Sequence, residues 1–298
     1  MAKKVLAFYY SQSGQSRQIL EQFTAPFKQR DWDLTICEVK PLSPFPFPWT
    51  SDSFFDAMPE SVLSVPRPLE ANKWPDFKYD LIVISYQPWF LSPSIPIHSL
   101  LQDPAFQQVV ADTPVVTLIG ARNMWLNAQE KVKLRLKEAG ANLRGNIALV
   151  DRHHNLISVI TILYWMMSGK KEKYLNLFPY PGVSDADIEN CEKFGEICAE
   201  HLSDNRLNDL QNAFIEAGGV DVNTSLMFIE QRAGKLFNIW AKFIVKQKNR
   251  RAWLIVYKYY LLFALFIVAP IILLINGLLF QPFLGKAIQR KKSYFQQL

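Results

Sequence analysis

Five short apolar runs, spaced along the first 150 residues, constrain the fold of this chain more than any other feature. They are Val5–Tyr10, Leu34–Val39, Leu81–Tyr86, Val115–Ile119 and Asn146–Val150. Because most positions in these runs are apolar, we expect strands that are covered on both faces. Helix-like segments separate the runs, and this alternation predicts a doubly wound, five-stranded parallel sheet of the α/β class.

The segments between the runs predict three helices and one long loop. The helices are Ser16–Lys28, Ile97–Val110 and about Leu126–Ala139, the last of them ended by Gly140. Residues 41–68 hold many prolines, which exclude a long regular element there. The same stretch is rich in Phe and Trp, so we expect a loop that packs on the body of the protein.

After residue 155 the strand pattern ends. We predict a sheet domain over residues 1–155, a helical extension over 156–248 and a membrane-attaching segment over 249–298. The extension opens with the very apolar stretch NLISVITILYWMM, and Ser184 with Asp187 then resembles a helix-capping box. This apolar stretch and the proline-rich loop either line a channel for alkyl chains or belong to ordinary core.

The membrane-attaching segment contains residues 259–285, a run of 27 residues without a charge that is long enough to cross a bilayer. An aromatic cluster typical of a membrane interface lies at its start, formed by Trp253, Tyr257, Tyr259 and Tyr260. Pro270 and Asn276-Gly277 leave open whether the segment is a single span or a hairpin that returns to the same side. A helix buried in a soluble protein is the alternative.

The charge of the chain is divided unevenly. Of 33 Lys and Arg residues, 12 follow Glu230 and no acidic residue does, which leaves 21 basic against all 27 acidic residues before that point. The basic residues bracket the apolar run, and this favours an anionic membrane surface over nucleic acid as partner. We expect a membrane-associated protein with its catalytic domain on the cytoplasmic side, reduced cysteines and no signal peptide.

The turn after the first strand is the first candidate site. Ligands of doubly wound sheets bind beyond the carboxyl ends of the strands, and helix N-termini favour anions. The turn has neither the lysine of a Walker A loop nor the pattern G-x-G-x-x-G. A monophosphate held by hydroxyl and amide groups fits best, although a plain capped turn has the same composition. The candidate residues are Ser11, Gln12, Ser13, Gly14, Gln15 and Ser16.

The turn resembles the phosphate loop of the flavodoxin-like family, S/T-x-S/T-G-x-S/T, at Ser11, Ser13, Gly14 and Ser16. The resemblance implies a flavodoxin-like fold and FMN as cofactor. It also implies two further cofactor loops, after the third and fourth strands, with aromatic side chains to stack on the flavin and polar groups to bind its edge. The implied residues are Gln87, Pro88, Trp89 and Phe90, followed by Gly120, Ala121, Arg122, Asn123 and Trp125.

A narrower resemblance covers most of the chain. The stretches PFPFPWTSDSFFDAMPESVL, SYQPWFLSPSIP, IGARNMWLNAQEKV and NIALVDRHHN, with the apolar C-terminal segment, resemble the bacterial dialkylresorcinol aromatase family. This implies FMN-dependent oxidative aromatisation of a 2,5-dialkylcyclohexane-1,3-dione to a 2,5-dialkylresorcinol. The implied partners are this apolar small molecule, membrane lipid and a ketosynthase of the same pathway.

Three residues are candidates for the chemistry. Arg122 would stabilise enolate charge, although a surface arginine is the simpler interpretation. His153, which follows the fifth strand, would act as base near neutral pH, and a structural histidine is as probable. Tyr86 either donates a proton or ends its strand, and Trp89 either stacks on the flavin or packs in the core. Four histidines without an HExxH pattern predict no metal site.

Three other functions remain open from the sequence. The first is a membrane-bound FMN oxidoreductase linked to NAD(P)H or a quinone. The second is a membrane-anchored electron carrier or scaffold without a substrate pocket, against which stand the roughly 90 residues of helices that follow the sheet. The third is a sheet that binds no flavin and serves the ketosynthase as a partner.

Overall fold

The computed structural model describes residues 2–71, 74–75, 78–275 and 285–298. A five-stranded sheet lies at the centre, with the strands in the order β2-β1-β3-β4-β5 and every neighbouring pair parallel. This is the flavodoxin-like order of a doubly wound sheet. The predicted fold class is therefore confirmed. The strands are β1 Lys4–Tyr9, β2 Asp33–Glu38, β3 Leu81–Tyr86, β4 Pro114–Ala121 and β5 Asn142–Val150.

Burial along the strands explains their composition. Every residue of the central strand β3 is buried, as a continuous apolar run predicts. The edge strand β2 is only partly covered, and Ile36 is 38% exposed. The other edge strand, β5, is covered by later helices so closely that a Cβ on Gly145 would lie 2.6 Å from the Phe214 ring. The helices after the sheet thus complete its apolar cover.

The helices of the sheet region largely follow the predicted pattern. The predicted single helix Ile97–Val110 is wrong in one respect, since Pro104 starts a second helix there. Asp103 Oδ1 caps this helix by accepting from the N–H groups of Ala105 (2.9 Å) and Phe106 (3.1 Å). The helices are α1 Gln15–Gln29, α2 Ser51–Asp56, α3 Met58–Leu63, α4 Ile95–Leu100, α5 Pro104–Val110 and α6 Leu126–Glu138.

The extension after the sheet is helical, as predicted, and packs closely on the sheet region. A Cβ on Gly195 would lie 2.1 Å from the carbonyl oxygen of Phe23, so these two helices touch through their backbones. The predicted division at residue 155 stays a prediction. The helices are α7 Asn155–Ser168, α8 Asp185–Glu189, α9 Cys191–Ser203, α10 Leu210–Glu216, α11 Thr224–Ile244, α12 Arg250–Phe263, α13 Ala269–Ile275 and α14 Gly285–Gln296.

Within the described residues, one continuous helical stretch, Arg250–Ile275, is long and apolar enough to cross a membrane by length and composition. It has 26 residues, its most apolar stretch of 18 residues has a mean hydropathy of 2.3, and almost none of that stretch is buried. A π-helical turn, Ala264–Val268, joins α12 to α13 just before Pro270. Proline lacks the N–H of a regular helix, which explains the wider turn.

Both flanks of the apolar stretch contact the same body. At its start, Arg250 Nη1 and Nη2 donate to the carboxylate of Glu60, each at 2.7 Å. Beyond it, α14 packs on the sheet region, where the Tyr294 hydroxyl donates to Glu130 Oε2 at 2.8 Å and Phe295 is buried. The turn predicted at Asn276-Gly277 lies outside the described residues.

Candidate functional site

The turn between β1 and α1 has the backbone of an anion site. Gly14 adopts φ +94°, a left-handed conformation that favours glycine, and an added Cβ would meet open space. Among the described residues, no side chain caps the start of α1. The Ser11 Oγ is buried there and has no hydrogen-bond partner in the described part of the chain. Free N–H groups and an unsatisfied hydroxyl thus meet at one helix N-terminus.

Other side chains of this turn hold it in place. Ser16 Oγ donates to Gln87 Oε1 at 2.9 Å, which links the turn to the segment after β3. Gln12 Nε2 donates to the Pro46 carbonyl oxygen at 2.7 Å. Gln15 Nε2 donates to the Val183 carbonyl oxygen at 2.8 Å. We therefore expect an anion in this turn to contact the backbone N–H groups, and not the side chains, of Gln12, Gln15 and Ser16.

An aromatic wall stands beside the turn. The Trp89 ring lies at centroid distances of 5.8 Å from Tyr10, 4.9 Å from Phe45 and 5.2 Å from Trp49. The Trp49 indole Nε1 is buried without a partner among the described residues. Phe45 and Trp49 come from the proline-rich stretch, so its predicted packing on the body is confirmed. Trp89 packs in this wall, beside the candidate site.

The segment after β3 turns back on itself. Pro88–Trp89 pairs in an antiparallel hairpin with Ser92–Pro93. Its two turn residues, Phe90 at φ +47° and Leu91 at φ +59°, adopt the left-handed conformation, which is costly for bulky side chains. Contacts with surrounding residues must therefore stabilise this turn. The turn lies where the sequence predicts a cofactor loop.

The predicted loop after β4 begins later than expected. Gly120 and Ala121 are the last residues of β4 and pair with Leu149 and Val150 of β5, so their prediction as loop residues is wrong. A Cβ on Gly120 would lie 2.9 Å from Ile19 Cδ1, which explains the glycine by helix–sheet packing. The loop proper therefore starts at Arg122. Trp125, also predicted to bind the cofactor, is buried just before α6.

Arg122 and Asn123 join this loop to the start of α7. Arg122 Nη1 donates to Asn155 Oδ1 at 2.8 Å and to Ser158 Oγ at 3.1 Å. Burial lowers the pKa of Arg122 to about 10, although the carboxylates of Asp151 and Glu230 act in the opposite direction. Asn123 Nδ2 donates to Asn155 Oδ1 at 2.8 Å, and its Oδ1 is buried without a partner among the described residues.

A carboxylate orients His153. Asp151 Oδ1 lies 2.6 Å from His153 Nδ1 and accepts the His153 backbone N–H at 2.9 Å. Its Oδ2 accepts the N–H of Gly182 at 3.2 Å. The Asp151 side chain is fully buried, whereas the His153 side chain is 41% exposed. If Nδ1 carries the proton toward Asp151, the opposite nitrogen is free to accept one.

Tyr86 lies in the core, apart from these loops. It is fully buried, and its hydroxyl donates to Gln129 Oε1 at 2.8 Å. Gln129 Nε2 in turn donates to Thr117 Oγ1 at 3.1 Å, which continues a polar chain inside the core. The hydroxyl therefore has a structural partner, and the role of Tyr86 as a proton donor stays a prediction.

Sequence reasoning missed Glu230 on α11. Its side chain is buried and accepts the backbone N–H of Asn127 at 2.8 Å, at the start of α6. The backbone N–H groups of Leu126 and Trp125 also bind it, yet burial outweighs these bonds and raises the pKa of Glu230 to about 8. A usable sequence signal was its position three and four residues after Met227 and Leu226, on the buried face of the helix.

The structure thus gathers the predicted loops at one edge of the sheet. Ser16 and Gln87 link the first turn to the segment after β3, and Arg122 and Asn123 link the segments after β4 and β5. The buried polar atoms in these and the adjoining segments that have no partner among the described residues include Ser11 Oγ, Trp49 Nε1 and Asn123 Oδ1. We call this edge the rim.

No protein-family model and no curated protein matches the chain. Among solved structures, it is similar to a flavoprotein in complex with FMN from Lactobacillus acidophilus NCFM, with 22% identity over 49% of this chain and 92% of that one and a TM-score of 0.40. It is also similar to a putative flavoprotein from Bacteroides eggerthii DSM 20697, with 15% identity over 56% and 99% and a TM-score of 0.40. The strand order on its own establishes that the chain has the flavodoxin-like fold.

Proposed function

We propose that this protein binds FMN at the rim and uses it to oxidise an apolar ring compound drawn from a membrane. The observation that carries the proposal is the set of unsatisfied polar atoms at the rim, because buried polar atoms normally have partners. Ser11 Oγ lies at an uncapped helix start that suits a phosphate. Trp49 Nε1 and Asn123 Oδ1 offer one donor and one acceptor, as a flavin edge requires.

Specific residues would hold the parts of the cofactor. Ser11, Ser13 and the backbone N–H groups at the start of α1 would bind the phosphate without a metal. Asn123 would bind the polar edge of the flavin, and Trp89 and its aromatic neighbours would flank the ring. Arg122 would face the substrate. It donates to neutral oxygens of Asn155 and Ser158, which leaves its positive charge available to an anion.

The reaction we propose is the aromatisation of a 2,5-dialkylcyclohexane-1,3-dione to a 2,5-dialkylresorcinol. When bound, FMN supplies the acceptor for the hydride that leaves the ring. His153, oriented by Asp151, takes the proton from the neighbouring ring carbon. Arg122 stabilises the negative charge of the enolised dione. The ring loses two hydrogens in total, and tautomerisation then gives the resorcinol.

Membrane attachment suits this substrate. Each buried CH₂ group favours an apolar phase by about 0.8 kcal/mol, so a dialkyl ring partitions into lipid. The helix Arg250–Ile275 would hold the enzyme at that lipid. Because residues on both sides of the apolar stretch contact the same body, we favour a hairpin within one leaflet over a single span. The substrate would then reach the rim from the membrane leaflet in which the hairpin lies.

The test uses the full-length protein purified in detergent and reconstituted with FMN. We expect yellow protein that releases FMN on denaturation and forms resorcinol from the dione under air, read by mass spectrometry. Protein that stays colourless after reconstitution would contradict the cofactor assignment. Bound FMN with quinone-dependent NAD(P)H oxidation, but no resorcinol, would favour the alternative oxidoreductase over the aromatase.

A further inference from the structure

A cavity of about 830 Å³ lies next to the rim. Its inner wall contains Phe90, Leu91 and Ser92 from the hairpin after β3, and Asn127 from the start of α6. These residues directly continue the two loops that are predicted to flank the flavin. Its outer wall belongs to α11 and α14. The volume is within the range of small-molecule sites, and none of the rim's unsatisfied atoms lines it.

Four basic side chains line this cavity, and no acidic residue is among its described lining. They are Lys131, Arg232, Lys235 and Lys291. Lys131 Nζ donates to the Val62 carbonyl oxygen at 2.6 Å and to Ser92 Oγ at 2.8 Å, both neutral acceptors. Burial lowers the pKa of Lys131 to about 8, as expected for an ammonium group without a charged partner.

Arg232 and Lys291 are likewise bound to neutral partners. The Arg232 guanidinium lies 3.3 Å from the Phe228 ring centroid and donates to the Phe228 carbonyl oxygen at 3.2 Å. Lys291 Nζ donates to Gln231 Oε1 at 3.2 Å. In the described part of the chain, none of the four basic residues forms an ion pair. Their combined charge is therefore available to an anion inside the cavity.

The remaining lining is apolar and leads to an exposed apolar surface. Val62, Phe90, Phe237 and Ile239 line the cavity, and Ile239 is 64% exposed at its edge. Leu236 on the same helix is 45% exposed, and α13 of the candidate membrane helix packs against α11. A ligand with an alkyl chain can thus pass from the apolar surface into the cavity while its head group meets the basic residues.

We propose that this cavity binds an amphiphilic anion, an acidic head group that carries an alkyl chain. The identification of that anion as the enolised dialkyl-1,3-dione rests on the proposed function. Cyclic 1,3-diones ionise readily to a delocalised enolate, and the basic residues neutralise this charge. The hairpin Pro88–Pro93 lies between the cavity and the aromatic wall, so a ring bound in the cavity would lie one hairpin away from the predicted flavin. The cavity would then be an entry site, whose basic residues select the ionised ring before it reaches His153 and Arg122 at the rim.

The test compares the affinities of the full-length protein in detergent for a set of ligands by calorimetry. We expect the dialkyl dione to bind at least tenfold more tightly than its neutral O-methyl enol ether, and tenfold more tightly than unsubstituted cyclohexane-1,3-dione. Lys235→Glu should weaken binding of the dialkyl dione about tenfold or more. Lys242→Glu is the matched control, since it makes the same charge change on an exposed position of α11 about 10 Å further along the helix.

The outcomes separate this proposal from the proposed function. Equal affinity for the dione and its enol ether, or equal loss in both variants, would overturn the cavity assignment, even if resorcinol still forms. Binding that depends on Lys235, but with no resorcinol, would keep the cavity and overturn the reaction. Binding to vesicles of anionic phospholipid that Lys235→Glu weakens, without binding of the dione, would assign the cavity to a lipid head group and overturn the substrate identification.

Discussion

The rim and the neighbouring cavity differ in how they present polar and charged groups to a ligand. At the rim, charged and polar side chains form hydrogen bonds with one another, and Arg122 donates to Asn155 and Ser158. A few buried polar atoms there have no partner among the described residues. In the cavity, the basic side chains lie partly in solvent and contact neutral groups. The rim thus offers hydrogen-bonding atoms at defined positions, whereas the cavity offers several positive charges that have no ion-pair partner among the described residues.

This difference fits two kinds of ligand. A resident cofactor benefits from preorganised donors and acceptors, because no side chain must then be ordered on binding. A substrate that arrives and leaves with alkyl chains of varied length is better served by a mobile charge and an apolar path. The comparison predicts that substitutions at the rim act on cofactor occupancy and turnover, and that substitutions on the extension act on affinity for lipid or substrate.

The largest expected effect comes from Ser13→Asp. A carboxylate at this position would oppose the phosphate of FMN at the start of α1, so we expect the purified variant to lose the flavin and all oxidation. Absorbance in the flavin bands and release of FMN on denaturation measure it. Ser203→Asp, an exposed position at the end of α9, is the control and should keep the flavin. Full flavin occupancy in Ser13→Asp would contradict the phosphate site.

His153→Ala tests the chemistry of the rim without removing the cofactor. If His153 is the base, turnover of the dione should fall by about 10² to 10⁴-fold while FMN stays bound. Asp151→Asn should lower turnover as well, because the bond that orients the imidazole changes. His201→Ala is a control on the partly buried surface of α9. Unchanged turnover in His153→Ala would make this histidine a structural residue.

The candidate membrane helix is tested by a paired change, Ile271→Ser with Leu274→Ser. These side chains are 52% and 63% exposed, and loss of their apolar surface should weaken binding to vesicles by roughly tenfold or more. Leu42→Ser is the matched control, at 62% exposure in the proline-rich stretch. Flotation with vesicles measures the effect. Equal flotation of both variants would mean that Arg250–Ile275 does not contact lipid.

The sequence predicts the sheet and the first turn well because both depend on local patterns. Five apolar runs and a glycine with positive φ can be recognised without knowledge of distant contacts. The helix start at Asp103-Pro104 is also a local signal, which the prediction of a single helix did not use. The close approach of Gly120 to Ile19 depends on a neighbour far along the chain, so the sequence does not reveal it. The cavity is harder still, because its basic residues are separated by up to 160 positions and meet only through folding.

Glu230 connects the two regions, and its expected effect on binding and turnover is the smallest. It lies on α11, which lines the cavity, and it caps α6, which follows the rim loop. Its pKa is raised to about 8 in the folded protein, from an ordinary value of 4.5. Between these two pH values the folded protein keeps the proton of this carboxyl group, whereas the unfolded chain has released it. The contribution of Glu230 to the free energy of unfolding is fully present below pH 4.5 and is lost as the pH rises to about 8.

Glu230→Gln should therefore flatten the dependence of stability on pH. Between pH 5 and 8 the wild-type free energy of unfolding should fall by up to about 1.4 kcal/mol per pH unit from this group, and the variant should lack that slope. Denaturant unfolding at a series of pH values measures it. Glu230→Ala serves as the contrast, since it leaves buried N–H groups of α6 without an acceptor at roughly 1–3 kcal/mol each. Parallel slopes for wild type and Glu230→Gln would show that the carboxyl is already ionised when it caps the helix, and the link between rim and cavity would then be a charged one.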